Sequence, residues 1–97
     1  MKAVFISYDQ AHQDSIIESL NDSNARGYTL FEQTGGRGTK TGEPHLGSHA
    51  WPSMNSSILT IVEDHQVQPL LDRLKKVDDD NQMLGLRAFV WNVEQTI

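Results

Sequence analysis

The residues with the most chemistry to offer lie together in one Gly- and His-rich stretch, the 34–55 loop. Its first half carries four glycines together with Arg37 and Lys40. Glycines let main-chain N–H groups turn toward an anion, and cationic side chains neutralise phosphate charge. The pattern therefore makes this half a candidate phosphate-binding loop, with a solvated, flexible loop as the alternative.

The second half of the 34–55 loop carries two histidines, His45 and His49. Their imidazoles, with the carboxylate of Glu43 and the thioether of Met54, suit a soft or borderline transition-metal ion. A histidine pair four residues apart binds metal best on a helix, and Gly47 disfavours a helix here. The sequence thus leaves two interpretations open: a transition-metal site, or two solvated histidines.

Residues suited to catalysis are scarce. The chain has no cysteine, no serine has the context of an activated nucleophile, and no acid/base pair stands out by spacing. The acidic run 78–80 is interpreted as a solvated helix end. We therefore expect a protein that is not an enzyme.

Length and charge narrow the function further. Ninety-seven residues suit one domain, residues 1–97. The net charge of −5 argues against binding to nucleic acid. The apolar runs are too short for membrane insertion, and no export signal precedes the first strand pattern. We therefore expect a cytoplasmic protein.

The elements that must position the loop follow from hydrophobic periodicity. Strands are predicted at 2–8, 28–33, 57–62 and 86–93, and Asp9 is expected to cap a helix that ends near Asn24. A second helix follows the acidic turn at 63–64, with Pro69 placed in its first turn. Its apolar stripe consists of Val67, Leu70, Leu71, Leu74 and Val77.

This order, β-α-β-β-α-β, predicts an α+β, ferredoxin-like fold: a four-stranded antiparallel sheet with both helices on one face. The strands carry Phe5, Phe31, Phe89 and Trp91, which cannot all lie under the helices. A sheet face with exposed aromatics predicts an oligomer interface.

Three segments resemble the PII signal-transduction proteins, the nitrogen regulatory protein P-II family. Residues 27–32 followed by 35–38 (Gly-Tyr-Thr-Leu-Phe-Glu, then Gly-Gly-Arg-Gly) resemble that family's second strand running into its T-loop. Residues 57–67 resemble its third strand and acidic turn, and 87–94 resemble the strand after its B-loop. The resemblance runs in order along nearly the whole chain.

The resemblance implies a homotrimer that binds ATP or ADP in clefts between subunits. Its T-loop, here the 34–55 loop, would signal to a partner that is a transporter, an enzyme or a regulator. By position, the nucleotide-binding residues would be Thr29, Gly36, Arg37, Gly38 and Arg87. Divergent groups that accompany heavy-metal efflux also direct attention to the two loop histidines.

The sequence departs from the family pattern in three places. The Gly-rich B-loop is replaced by residues 81–86, with one glycine. The chain ends before the family's basic C-terminal segment, and the 34–55 loop has no modifiable tyrosine. These departures predict a divergent PII-like regulator. The alternative is a small ferredoxin-like enzyme of the dimeric α/β-barrel type, acting on an organic substrate.

Overall fold

The computed structural model describes residues 1–35, 54–81 and 85–97. The element order is β1 (Lys2–Asp9), a short 3-10 turn (Gln10–His12), α1 (Gln13–Asp22), β2 (Tyr28–Thr34), β3 (Asn55–Val62), α2 (Asp64–Asp80) and β4 (Arg87–Asn92). The strands form one sheet in the order β2-β3-β1-β4, with every neighbouring pair antiparallel. The predicted ferredoxin-like βαββαβ fold is confirmed.

Alternation along β1 decides which side of the sheet holds the core. Val4, Ile6 and Tyr8 are fully buried, and successive strand residues point to opposite faces. The three side chains pack with apolar residues of both helices and of β3, namely Ile16, Leu20, Leu70, Leu74 and Ile58. Both helices therefore lie on one face of the sheet.

Side-chain and main-chain hydrogen bonds fix the 3-10 turn before α1 and the end of α1. Asp9 accepts a hydrogen bond of 2.8 Å from the Ala11 N–H, so it caps the 3-10 turn that leads into α1. At the other end Asn24 takes a positive φ of 60°, and the Ala25 N–H donates to the Leu20 carbonyl at 2.8 Å. This is a Schellman ending with Asn in the left-handed position, which agrees with the predicted end of the helix.

Pro69 lies deeper in α2 than its sequence context predicted. The helix begins at Asp64, so Pro69 falls in the second turn and the prediction of a first-turn proline is wrong. A proline at this position cannot donate to the carbonyl of His65. Both residues are exposed, so water can hydrogen-bond to that carbonyl and the helix continues.

The start of α2 is tied to the end of α1 by one side chain, Gln66. Its amide oxygen accepts from the Glu63 N–H at 2.8 Å. Its amide nitrogen donates to the carbonyls of Asn24, at 3.0 Å, and Ser23, at 3.4 Å. One residue therefore satisfies polar groups at the ends of two helices, which fixes where β2 begins relative to α2.

We expect Gln66→Ala to lower the free energy of unfolding by about 1–2 kcal/mol, because three main-chain groups lose their partner. Gln68→Ala is the matched control: its side chain makes one exposed hydrogen bond, of 2.7 Å, to Asp72, so a loss below about 0.5 kcal/mol is expected. Urea unfolding followed by circular dichroism measures both. Equal losses in the two variants would contradict this role for Gln66.

Candidate functional site

The sheet face opposite the helices, here called the open face, carries the aromatic residues. Phe5 pairs with Phe89 across β1 and β4, and Trp91 pairs with Ala3. Ala3 and Phe5 alternate along β1 with the core positions Val4 and Ile6, so they face the other side of the sheet. The prediction that these aromatics cannot all lie under the helices is confirmed. Large side chains on this face stay exposed, at 45% for Phe31, 46% for Ile61, 57% for Phe89 and 49% for Trp91.

The two ends of the 34–55 loop are joined by the sheet. Thr34 pairs with Asn55, after an irregularity that inserts one extra residue into β2 between Phe31 and Thr34. Such a bulge interrupts the ladder, and a side chain supplies a hydrogen bond there: the Ser56 hydroxyl donates to the Glu32 carbonyl at 2.6 Å. Strand β3 thus begins two residues earlier than the predicted 57.

Further hydrogen bonds fix the same end of the molecule. The hydroxyls of Thr34 and Ser57 lie 3.1 Å apart. The Gln10 N–H donates to the Met54 carbonyl at 3.0 Å, which attaches the loop's second end to the turn before α1. The strands and the 3-10 turn therefore hold both ends of the loop at fixed positions.

Tyr8 is the buried polar side chain beneath this end of the sheet. Its hydroxyl donates to the Gln13 amide oxygen at 3.3 Å. Burial raises the pKa of Tyr8 from 10.0 to about 12; the hydrogen bond with Ser56 opposes the rise and Tyr28 adds to it. Tyr8 therefore stays a neutral hydrogen-bonding group beneath the loop ends rather than an acid or base.

Two of the predicted nucleotide-binding residues lie in the described part of the chain, at opposite edges of the sheet. Thr29 is exposed on edge strand β2, and Arg87 is half-buried at the start of edge strand β4. Three strand spacings and a two-residue offset separate them by about 16 Å between Cα atoms. One chain does not bring these two residues together.

Among the described residues, one hydrogen bond is formed by the side chain of Arg87. Its Nη1 donates to the Leu86 carbonyl at 2.6 Å, and a guanidinium has further N–H groups to offer an anion. The other predicted residues, Gly36, Arg37, Gly38, His45 and His49, lie outside the described residues. Within the described ranges no group of three or more His, Cys, Asp or Glu residues could hold a metal ion.

Sequence reasoning missed one polar side chain next to the core. The acidic run 78–80 is predicted to be a solvated helix end, yet one carboxylate oxygen of Asp78 is shielded from solvent and has no hydrogen-bond partner in the described part of the chain. The signal was present in the spacing: Leu70, Leu74 and Asp78 follow one another at four-residue intervals. Such residues lie on one helix face, so Asp78 extends the stripe and is partly buried.

In the ranges that the structure covers, neither helix is long and apolar enough to cross a membrane. The prediction that the chain does not insert into a membrane rests on the same short apolar runs.

Comparison with known proteins gives a family match over the full chain. The family model for nitrogen regulatory protein P-II matches residues 1–97. No curated protein matches the sequence.

Solved structures give the same fold. CPII from Thiomonas intermedia K12, a nitrogen regulatory PII-like protein bound to ADP, AMP and bicarbonate, has a TM-score of 0.78 at 20% identity, with 95% of this chain and 84% of that chain covered. Its apo form has a TM-score of 0.73 at 18% identity, covering 95% and 87%. A PII-like signalling protein from Thermus thermophilus has a TM-score of 0.67 at 26% identity, covering 95% and 85%.

The raised pKa of Tyr8 predicts a loss of stability in alkali. The unfolded chain releases this proton near pH 10, whereas the folded protein holds it to about 12. The unfolded state therefore binds fewer protons between these pH values, so the free energy of unfolding falls as pH rises from 10 to 12.

Tyr8→Phe should make this alkaline decline shallower, measured by urea unfolding at a series of pH values. Tyr28→Phe, on the exposed edge strand, is the control and should keep most of the decline. Identical slopes in Tyr8→Phe and the unmodified protein would show that Tyr8 is not the group responsible.

Proposed function

Because the chain belongs to the nitrogen regulatory protein P-II family, we propose that it is a non-enzymatic, cytoplasmic PII-like regulator. It binds an adenine nucleotide between the subunits of a homotrimer and signals to a partner protein through the 34–55 loop. The observation that carries the proposal is the placement of Thr29 and Arg87 at opposite edges of one sheet, because a shared ligand then requires a second copy.

The open face supports the assembly. Four large apolar side chains on it remain about half exposed in the isolated chain, the residues Phe31, Ile61, Phe89 and Trp91. Burying an aliphatic or aromatic side chain is worth about 1.5–3 kcal/mol, so copies that cover this face gain substantial free energy. The family relationship supports three as the number of copies.

The two sheet edges support a ring rather than a two-fold pair at the nucleotide site. One edge is β2 and the other is β4, so a contact that brings Thr29 of one copy to Arg87 of the next joins unlike surfaces. Contacts between unlike surfaces close into a ring when the rotation allows. Each junction then holds one nucleotide, giving equivalent sites around the ring.

The nucleotide itself is an ADP- or ATP-like anion. Arg87 supplies a guanidinium, a group with several N–H donors that suits phosphate oxygens. Arg37, with Gly36 and Gly38, adds a second guanidinium and main-chain N–H groups that suit the same anion. CPII, which has the same fold, was solved with ADP and AMP, and this supports an adenine nucleotide as the ligand here.

The way the two ends of the 34–55 loop are held supports signalling through it. Its two ends are fixed by the Thr34–Asn55 pair and by the hydrogen bond from Gln10 to Met54. A ligand that contacts Arg37 therefore acts on a segment with anchored ends, and bias between loop conformations changes the surface offered to a transporter, enzyme or regulator. The metal site at His45 and His49 stays a prediction.

The assembly is tested by Trp91→Glu, which places a charge on the open face. We expect the unmodified protein to have three times the chain mass by size-exclusion chromatography with light scattering, and the variant to have the mass of one chain. Ser15→Glu, which adds the same charge on exposed α1, should stay trimeric. A dimeric unmodified protein would overturn the proposal and favour the dimeric α/β-barrel enzyme.

The nucleotide site is tested by isothermal titration with ADP and ATP. Arg37→Ala and Arg87→Ala should each weaken binding about tenfold or more, because each removes charge-assisted hydrogen bonds to phosphate. Arg73→Ala, which removes an exposed guanidinium 3.5 Å from Asp22, is the control and should bind normally. Absence of binding to either nucleotide, or normal binding by Arg87→Ala, would contradict the site.

A further inference from the structure

A groove of about 220 Å³ lies between the second half of α2 and the beginning of β4. Its apolar lining includes Leu71, Leu74 and Leu86, and its polar lining includes Lys75 and Asp78, with Arg87 at the β4 side. Drug-sized ligands occupy sites of about 300–1,000 Å³. The groove is smaller, so its volume suits a small metabolite.

Asp78 contributes an acceptor that the fold leaves unused. One of its carboxylate oxygens is shielded from solvent and has no hydrogen-bond partner among the described residues. Asp78 also lines the groove, so its carboxylate is the acidic group that a ligand in the groove meets. At this position the groove therefore favours a ligand group with an N–H or O–H donor.

Lys75 contributes the opposite charge one helical turn earlier. Residues three apart on a helix are neighbours on its surface, with Cβ atoms about 5–6 Å apart. No ion pair joins Lys75 to Asp78 in the described part of the chain. The groove thus presents an unpaired ammonium and a partly unpaired carboxylate side by side above an apolar floor.

We infer that this groove binds a free α-amino acid with an aliphatic side chain. Such a molecule carries an ammonium and a carboxylate on the same carbon atom, so one can meet Asp78 while the other meets Lys75. Its side chain lies on the leucine floor. Arg87 gives the groove a second cation against one acid, which favours the carboxylate and disfavours a simple amine.

This inference shares Arg87 with the proposed nucleotide site, but it is tested at Asp78 and Lys75, which the nucleotide site does not include. It uses residues of a single chain and needs neither the 34–55 loop nor a second copy. Loss of nucleotide binding and loss of amino-acid binding are therefore separate outcomes, and each can be measured without the other.

The test is a titration of the ¹⁵N-labelled full chain with millimolar L-leucine, followed by amide chemical shifts. We expect shifts concentrated in residues 71–78 and 86–88. Asp78→Asn and Lys75→Gln should each weaken binding about tenfold or more. Asp79→Asn, which alters the exposed neighbouring carboxylate, should bind leucine normally; its spectrum and that of Asp78→Asn also report whether the fold is kept.

Two analogues of leucine test whether both of its charged groups are needed for binding. Isocaproate has the side chain and carboxylate of leucine without the amine, and isoamylamine has the amine without the carboxylate. Both should bind at least about tenfold more weakly than leucine. An absence of shifts with leucine, equal binding by either analogue, or normal leucine binding by Asp78→Asn would overturn the inference.

Discussion

The two-residue period of the β-strand is the constraint on which the rest of this structure depends. It sends Val4, Ile6 and Tyr8 toward the helices and, in the same strand, sends Phe5 to the other side. Both connecting helices cover the first side, because crossovers in this topology share one hand. The chain therefore folds with one apolar face covered and a second one exposed.

The order of the strands likewise constrains the proposed ligand site. With β2 and β4 at the two edges, residues that the family pattern assigns to one nucleotide are held apart in the single chain. Under the proposed function, assembly and ligand binding are linked equilibria, since a ligand that contacts two copies stabilises their association. A single chain then carries only part of the proposed ligand site.

Much of the fold could be predicted because the pattern is regular where burial is strong. The stripe on α2 and the alternation in β1 predicted their elements to within a few residues. The early start of β3 was not predicted because Asn55 and Ser56 are polar. Both are buried. Ser56 hydrogen-bonds at the β2 bulge, which is visible only in the strand pairing. The positions of Pro69 and Asp78 in α2 were predicted wrongly. Pro69 was assigned from the preference of proline for the first helical turn, and Asp78 from its charge, rather than from their spacing along the helix. The proposed site was less predictable, since Thr29 and Arg87 lie at opposite edges of the sheet and the sequence does not show which edges meet in an assembly.

The hydrogen bonds at the ends of the 34–55 loop have an evolutionary consequence. They involve Thr34, Ser57, Gln10 and Met54. At the bulge, Ser56 donates a hydrogen bond to a main-chain carbonyl. None of these hydrogen bonds involves residues 36–53. Mutation, insertion or exchange within that stretch leaves these attachments in place, so the sequence between them can change while both ends of the loop stay where the sheet holds them.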